Sequence, residues 1–184
     1  MINTSPIPTM SFLKEPSFLI QAWKKTSSYI RYHNWYSDSL EIDLASVDLP
    51  NFIKELSERV STWESGQINI VPAPKSQYWH INDQNKWVPR GNISTKLRPL
   101  AHVCIEDQVI STAILLCLAN QMEQLQGSPL EPIENPEKRR KIISYGNRLY
   151  CSAGSNGELI HHWGSSKLYR SYFQDFNTFT RRPD

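Results

Sequence analysis

The sequence predicts an α+β fold in which helices pack on a small antiparallel sheet. Four stretches space their apolar residues as amphipathic helices do, and two short stretches on either side of a polar segment resemble paired strands. The chain has 184 residues, of which 39% are hydrophobic and 21% are charged. That length suffices for one buried core, and that composition is typical of a folded, soluble protein rather than a disordered one.

Two of the predicted helices lie near the N-terminus. Residues 17–32 carry apolar side chains at near-helical spacing. Residues 50–63 begin with Pro50, which suits a first helical turn, and Gly66 follows as a stop signal. We assign residues 1–66 to an N-terminal helical region.

The middle of the chain predicts a hairpin followed by the longest helix. Residues 67–71 form a predicted strand that ends at a proline-rich turn, and residues 96–103 form the returning strand. The polar segment between them, residues 76–95, is predicted to be a hairpin with a long loop. Residues 106–124 form the predicted helix, whose first turn contains two acids that favour the positive end of the helix dipole. These elements make a second region, residues 67–125.

The third predicted region comprises residues 126–184. It opens with a loop that holds Gly127 and three prolines, and the basic run 138–141 follows. Residues 142–151 are predicted to form a strand pair or a bent strand, and residues 165–179 a final helix that carries several aromatic side chains.

Charge is distributed unevenly along the chain, although the net charge is only +2. Residues 38–66 hold two basic and seven acidic side chains, and residues 104–136 hold five acidic and no basic ones. Residues 67–103 hold five basic and one acidic, and residues 137–184 hold nine basic and four acidic. Such blocks could fold into one basic and one acidic face, which suits a polyanionic partner, or could be ordinary solvated surfaces.

Aromatic side chains are abundant, with six tryptophans and eight tyrosines. Rings of this kind either pack in a core or stack on the bases of a nucleic acid. The sequence leaves both uses open.

The chain is expected to be cytoplasmic, with no membrane partner. Its three cysteines, Cys104, Cys117 and Cys151, form no Cys-x-x-Cys pair and suit reduced thiols better than a disulfide framework. Residues 1–10 lack the basic and apolar regions of a signal peptide. The most apolar stretch, residues 109–118, is too short to span a bilayer.

Two clusters of cysteine and histidine residues are not expected to bind a metal or to act as nucleophiles. His161 and His162 with Cys151 suggest a metal site, but neighbouring side chains of an extended segment point to opposite sides and are not at ligand spacing. Cys104 with His102 suggests a nucleophile pair, but Cys104 lies in an apolar context typical of a buried, inert thiol. We therefore predict no metal site and no catalytic residue in this chain.

Lys75 and Arg98 are the candidate anion ligands of the predicted hairpin. They lie near the ends of its two strands, so the hairpin should bring them close together. An arginine supplies a planar fork and a lysine a mobile point charge, and the two can bind the same phosphate group. The alternative is that they are two surface cations.

A second basic patch could contact a nucleic-acid backbone. If its members lie along one groove, they would bind the phosphates of a template or primer with salt-sensitive affinity. The alternative is a solvated loop. The members are Lys138, Arg139, Arg140, Lys141, Arg148, Lys167 and Arg170.

The order of three short motifs resembles the fingers of bacterial reverse transcriptases, which are RNA-directed DNA polymerases. These motifs are Pro74-Lys75, Leu97-Arg98-Pro99-Leu100 and Asp107-Gln108-Val109. The later segments 144–151, 163–170 and 172–176 are similar to the matching region of the defence-associated or unknown-group enzymes. The resemblance covers roughly residues 20–182.

The resemblance implies the fingers part of a right-hand polymerase, with residues 67–125 as the fingers hairpin and its helix and residues 126–184 leading toward the palm. It implies that Lys75 and Arg98 bind the phosphates of an incoming deoxynucleoside triphosphate (dNTP), with an RNA template and a DNA primer as partners. It also implies a structural role for Asp107, which would orient the neighbouring strand and helix. The residue pattern alone favours a helix-capping role for Asp107.

The chain departs from this family in its carboxylates. Two-metal phosphoryl transfer needs at least two convergent carboxylates, and no two aspartates here are adjacent: they are Asp38, Asp43, Asp48, Asp83, Asp107, Asp175 and Asp184. We therefore expect an N-terminal fingers fragment that is inactive alone and holds no cofactor. Mg²⁺ would serve only the complete enzyme, with a separate palm and thumb polypeptide as a candidate partner.

The alternatives are a non-catalytic RNA- or protein-binding module derived from a reverse transcriptase, or a degraded gene product. Roles in antiviral defence and in mobility both stay open.

Overall fold

The computed structural model describes residues 9–33, 39–66, 68–74, 79–89, 97–129 and 135–181. Its helices are α1 Pro16–His33, α2 Ser39–Val47, α3 Leu49–Arg59, α4 Ile105–Gln126, α5 Pro136–Arg140 and α6 Tyr172–Thr180. Its strands are β1 Asn69–Pro74, β2 Trp79–Ile81, β3 Trp87–Pro89, β4 Leu97–His102, β5 Cys151–Ala153 and β6 Leu159–His161. Short 3-10 turns cover Met10–Lys14 and Val60–Thr62.

The described strands form three separate antiparallel pairs, which are β1 with β4, β2 with β3 and β5 with β6. The mixture of helices with small antiparallel sheets confirms the predicted α+β class. The expectation of one small sheet is corrected in detail, because each pair has two strands only.

The core lies between α1 and α4. Both helices bury a stripe of side chains that are essentially inaccessible to water, including Leu19 and Ala22 from α1 and Val109, Ala113 and Leu116 from α4. Burying one such leucine or valine contributes about 1.5–3 kcal/mol to stability. A hydrogen bond of 2.8 Å from Thr26 Oγ1 to Thr112 Oγ1 pairs two hydroxyls that are buried between the two helices. This pair of helices is the scaffold that carries the β1–β4 hairpin and the C-terminal segments.

Helix α3 shows how local sequence sets an element boundary. Asp48 precedes the helix, and its Oδ1 accepts a hydrogen bond from the Asn51 amide at 3.3 Å, while Pro50 occupies the first turn. This is the N-terminal capping that the sequence favours. Ile53 and Leu56 then face the core. The helical prediction for residues 50–63 is confirmed, with a 3-10 turn at its end.

Two predictions for the C-terminal region are wrong. Residues 142–151 form neither a strand pair nor a bent strand, because only Cys151 of this segment lies in a strand. The strand pair is β5 with β6, joined by a turn at 154–158 with Gly157 at a φ of +80°. The final helix starts at Tyr172 rather than at residue 165. Residues 162–167 are held instead as an irregular segment by Lys24 and Lys25 of α1. Helices α2 and α5 were not predicted from the sequence.

Within the described residues, no helix combines the length and the apolar character needed to cross a membrane.

Candidate functional site

The β1–β4 hairpin presents Arg98 opposite Ala73, and Leu97 opposite Pro74. Burial alternates along β4, so the side chain of Arg98 is half-buried on the same face as Leu100 and His102. Lys75 lies outside the described residues. The predicted convergence of the Lys75 amine and the Arg98 guanidinium therefore stays a prediction.

The base of the hairpin is tied to two helices through Glu41 of α2. Oε2 of Glu41 accepts a hydrogen bond from the backbone amide of Ile105, at 3.0 Å, where α4 begins. Oε1 of the same carboxylate lies 3.4 Å from Nε2 of His102, the last residue of β4. One acidic side chain thus fixes the end of the strand relative to the start of the helix.

The carboxylate of Asp107 makes a second set of structural contacts at the start of α4. Its side chain is buried, its Oδ1 accepts a hydrogen bond from Nε1 of Trp63 at 2.7 Å, and its Oδ2 accepts one from the backbone amide of Gly66. A Cβ at position 66 would stand only 3.0 Å from Oδ2, so a glycine suits this close approach. Both oxygens therefore hold the segment after α3 against α4.

Arg139 and Arg148 do not belong to an exposed basic patch, and this part of the prediction is corrected. Both side chains are fully buried. Nη2 of Arg139 donates to the carbonyl oxygen of Thr178 at 2.8 Å, which attaches α5 to α6. Arg148 forms an ion pair inside the fold, so neither guanidinium has a surface on which a nucleic-acid phosphate can rest.

Arg148 and Glu123 form the most buried ion pair among the described residues. Nε and Nη2 of Arg148 donate to Oε2 of Glu123 at 2.9 and 2.7 Å, and Oε1 accepts from the amide of Leu149 at 2.9 Å. Nη1 of Arg148 donates to the carbonyl oxygen of Ser144 at 2.7 Å. Such pairs survive burial only when their remaining hydrogen-bonding groups are satisfied. The network connects α4 to the segment that precedes β5.

The other members of the predicted patch differ in exposure. Lys138, Arg140 and Lys141 are exposed on and just after α5. Arg170 is mostly buried and pairs with Asp175, with Nη2 3.0 Å from Oδ1. Lys167 is exposed, and its amine lies 5.7 Å from the centre of the Tyr150 ring. The structure therefore leaves Lys138, Arg140, Lys141 and Lys167 as the exposed members of the predicted patch.

The cysteine and histidine side chains have the environments of core residues. His161 is buried and His162 is exposed, which confirms that the two point to opposite sides. Cys151 Sγ lies 3.9 Å from Nδ1 of His161. Burial raises the pKa of the Cys151 thiol to about 12 and lowers the pKa of His161 to about 3. At neutral pH the thiol is protonated and unreactive, because the thiolate is the nucleophile.

A cleft opens between the C-terminal half of α1 and the segment that leads into α6; we call it the α1–α6 cleft. Its volume is about 560 Å³. Aromatic rings dominate one part of its lining, including Tyr29, Tyr32, Tyr169, Tyr172 and Phe173. The sequence alone left open whether its aromatic rings pack in the core or stack on bases. The signal that could have revealed the cleft was the second aromatic group, at 172–173.

Two lysines of α1 hold the irregular wall of this cleft. Lys25 is fully buried, and its Nζ donates to the carbonyl oxygens of His162, Ser165 and Lys167 at 2.9, 2.7 and 3.3 Å. Lys24 Nζ donates to the carbonyl oxygen of Gly164 at 2.8 Å. Burial, with the neighbouring charge of Lys24, lowers the pKa of Lys25 to about 8. At neutral pH the ammonium form still predominates and can supply three donors.

Over the part of the chain that the structure describes, His, Cys, Asp and Glu side chains nowhere gather in groups of three or more that could hold a metal ion.

Comparison with known proteins finds no family model, no curated protein and no solved structure that matches this chain.

Proposed function

We propose that this chain is the fingers portion of a bacterial reverse transcriptase, where it binds the RNA template and the phosphates of the incoming dNTP. The observation that carries the proposal is the antiparallel pairing of β1 with β4, followed after two residues by the long helix α4. This order of a paired hairpin and a supporting helix is the arrangement that the motif resemblance predicts for a fingers subdomain.

Phosphate binding at this hairpin has a physical basis in the position of Arg98. A half-buried guanidinium is partly shielded from bulk water, and an anion pairs with it more strongly there than at a fully exposed site. The proposal requires the Lys75 amine to lie on the same face of the hairpin. Two cations would then share the charge of one phosphate group.

The supports of the hairpin are consistent with a site that must keep its geometry. Glu41 holds the end of β4 against the first turn of α4, and Asp107 holds that turn against Trp63 and Gly66. A binding group held by such contacts loses less conformational freedom when its ligand arrives. Asp107 thus acts in the proposal as a supporting residue and not as a ligand.

The test compares two pairs of substitutions that remove the same residue types. Lys75→Ala with Arg98→Ala removes the proposed ligands, and Lys54→Ala with Arg59→Ala removes an exposed lysine and arginine from α3. From the sequence, Lys24 and Lys25 would also look like a suitable control pair. Lys25 is buried, however, so its substitution would disturb the fold. Binding of a fluorescent dNTP analogue and of RNA is titrated for each protein, and thermal unfolding verifies that each is folded.

We expect the Lys75 and Arg98 pair to weaken dNTP binding at least tenfold, because each charge-assisted hydrogen bond contributes about 1.5–3 kcal/mol. The α3 pair should leave that affinity nearly unchanged. Equal losses in the two proteins would show that only net charge matters, and would refute a defined phosphate site. RNA binding without any dNTP binding would favour the alternative, a non-catalytic RNA-binding module.

A further inference from the structure

The α1–α6 cleft has the size of a ligand site. Its volume of about 560 Å³ falls inside the range of roughly 300–1,000 Å³ that small-molecule sites occupy. One wall is formed by residues of α1, and the other by residues 147–148, 166–173 and Asp175. A single nucleotide would fit in such a space.

Two of the three basic side chains that line the cleft among the described residues form ion pairs with carboxylates of the same chain. Arg148 is paired with Glu123, and Arg170 is paired with Asp175. Lys167 differs, because it is exposed and forms no ion pair with a carboxylate of the described residues. Among the described residues that line the cleft, Lys167 is therefore the cation at the rim that can meet an anionic group of a ligand.

Three aromatic rings that line the cleft are exposed to solvent. Tyr32 is 85% exposed, Phe173 is 75% exposed and Tyr172 is 58% exposed. Tyr172 already stacks on Phe176, with the ring centres 5.7 Å apart and the planes at 22°. Exposed aromatic rings gathered at one cleft are a feature of interaction sites.

We infer that the α1–α6 cleft binds an unpaired nucleotide of a single-stranded nucleic acid. The base stacks on the exposed rings of Tyr32 and Phe173, and the phosphate of that nucleotide pairs with Lys167. Stacking on aromatic side chains is the usual way in which proteins hold unpaired bases, and one cation beside the rings serves the backbone. The inference rests on the proposed function for its ligand class, but it names a second site, separate from the hairpin.

The surroundings of the cleft hold these groups in place. Lys25 fixes the backbone of residues 162–167 through three carbonyl oxygens, which positions the chain at Lys167. Arg170 Nε contacts both carboxylate oxygens of Asp175, at 3.1 and 3.2 Å, which fixes the first turn of α6 and the rings that it carries. A base pair held in a duplex exposes no ring face for stacking, so the site should select single strands.

The experiment measures the binding of a fluorescein-labelled single-stranded oligouridylate of roughly ten nucleotides, a length that one binding groove can hold. Fluorescence anisotropy is recorded over a range of salt concentrations for the unmodified chain and for Tyr32→Ala, Phe173→Ala and Lys167→Ala. All three side chains are exposed, so their truncation should not unfold the protein. Phe179→Ala, another exposed ring of α6, and Lys54→Ala are the matched controls.

We expect each ring variant to weaken binding about tenfold without changing the salt dependence. Lys167→Ala should also weaken binding, and should reduce the slope of log affinity against log salt by roughly 0.7, the value for one phosphate contact on a single strand. Tyr32→Phe should retain the affinity, because it keeps the ring. The same oligonucleotide annealed to its complement should show no difference among these proteins.

Unchanged oligonucleotide affinity in Tyr32→Ala and Phe173→Ala would overturn the inference. So would ring variants that alter only self-association in size-exclusion chromatography, which would identify a protein-docking surface instead. The Lys75 and Arg98 variants separate the two proposals. If they abolish dNTP binding while the cleft variants change nothing, only the cleft inference fails; the reverse result removes the hairpin site and leaves the cleft.

Discussion

Lys138 and Arg139 are neighbours in the sequence, yet one is exposed and the other is fully buried. The basic run reveals the charge of this segment but not the short helix α5, which turns Arg139 toward the carbonyl oxygen of Thr178. Arg148 was assigned to the same patch for the same reason, although its partner, Glu123, lies 25 residues earlier on α4. Contacts at such separation are set by tertiary packing, which a local pattern does not encode.

The buried imidazole of His161 should make the free energy of unfolding depend on pH. Burial, with Lys25 and His162 nearby, lowers its pKa from 6.5 to about 3. Between those values the unfolded chain binds a proton at this group and the folded chain does not. The free energy of unfolding should therefore fall as the pH drops through this window, by about 1.4 kcal/mol per pH unit.

Urea unfolding of His161→Phe at about pH 7 and about pH 4.5 tests this, because the variant lacks the titrating group. We expect the unmodified chain to lose about 2–3 kcal/mol more than the variant between the two conditions. His80→Phe, which removes an exposed histidine of β2, is the control and should follow the unmodified chain. If the free energy of unfolding fell equally in all three proteins between the two pH values, a neutral, buried His161 would be contradicted.

At the scale of elements, α1 and α3 were predictable because each shows an apolar stripe at helical spacing, and α3 also carries its own cap. Helix α4 was predictable because its apolar run is long and its first turn is acidic. The β1–β4 pairing was predictable from two short strands on either side of a polar segment. The start of α6 was not, because residues 162–167 are held by Lys25, 137 to 142 residues away. An amphipathic pattern continued through that segment, but the hydrogen bonds of a buried ammonium decided its conformation.

The attachment of α4 to the segment after α3 depends on the two oxygens of Asp107. Asp107→Asn keeps the shape of the side chain but replaces one acceptor with a donor, which then faces either the Trp63 indole or the Gly66 amide. Leaving one buried donor unsatisfied costs about 1–3 kcal/mol. We expect urea unfolding to show a loss of that size.

Asp83→Asn is the control for this prediction, because Asp83 is exposed in the turn between β2 and β3. Its stability should change little, as is usual for surface substitutions. A loss in Asp107→Asn no larger than in Asp83→Asn would mean that the carboxylate of Asp107 does not hold these elements together. It would also weaken the view that the hairpin rests on a fixed support.

At the scale of the whole molecule, the candidate sites lie on different parts of one scaffold. The hairpin projects from the start of α4, and the cleft lies between α1 and α6. Sequence motifs pointed to the hairpin because its residues are close together in the chain. The cleft was missed because its rings come from segments about 140 residues apart, and only folding brings them to one surface.

The central claim is that the β1–β4 hairpin binds a triphosphate through Arg98 and Lys75. The most direct measurement is a titration of the isotope-labelled chain with a dNTP, followed by amide NMR. We predict saturable chemical-shift changes along residues 97–102, which disappear in the Lys75→Ala and Arg98→Ala pair and persist in the Lys54→Ala and Arg59→Ala pair. A hairpin whose amide signals stay unchanged at saturating dNTP, or that responds identically in both pairs, would contradict the claim.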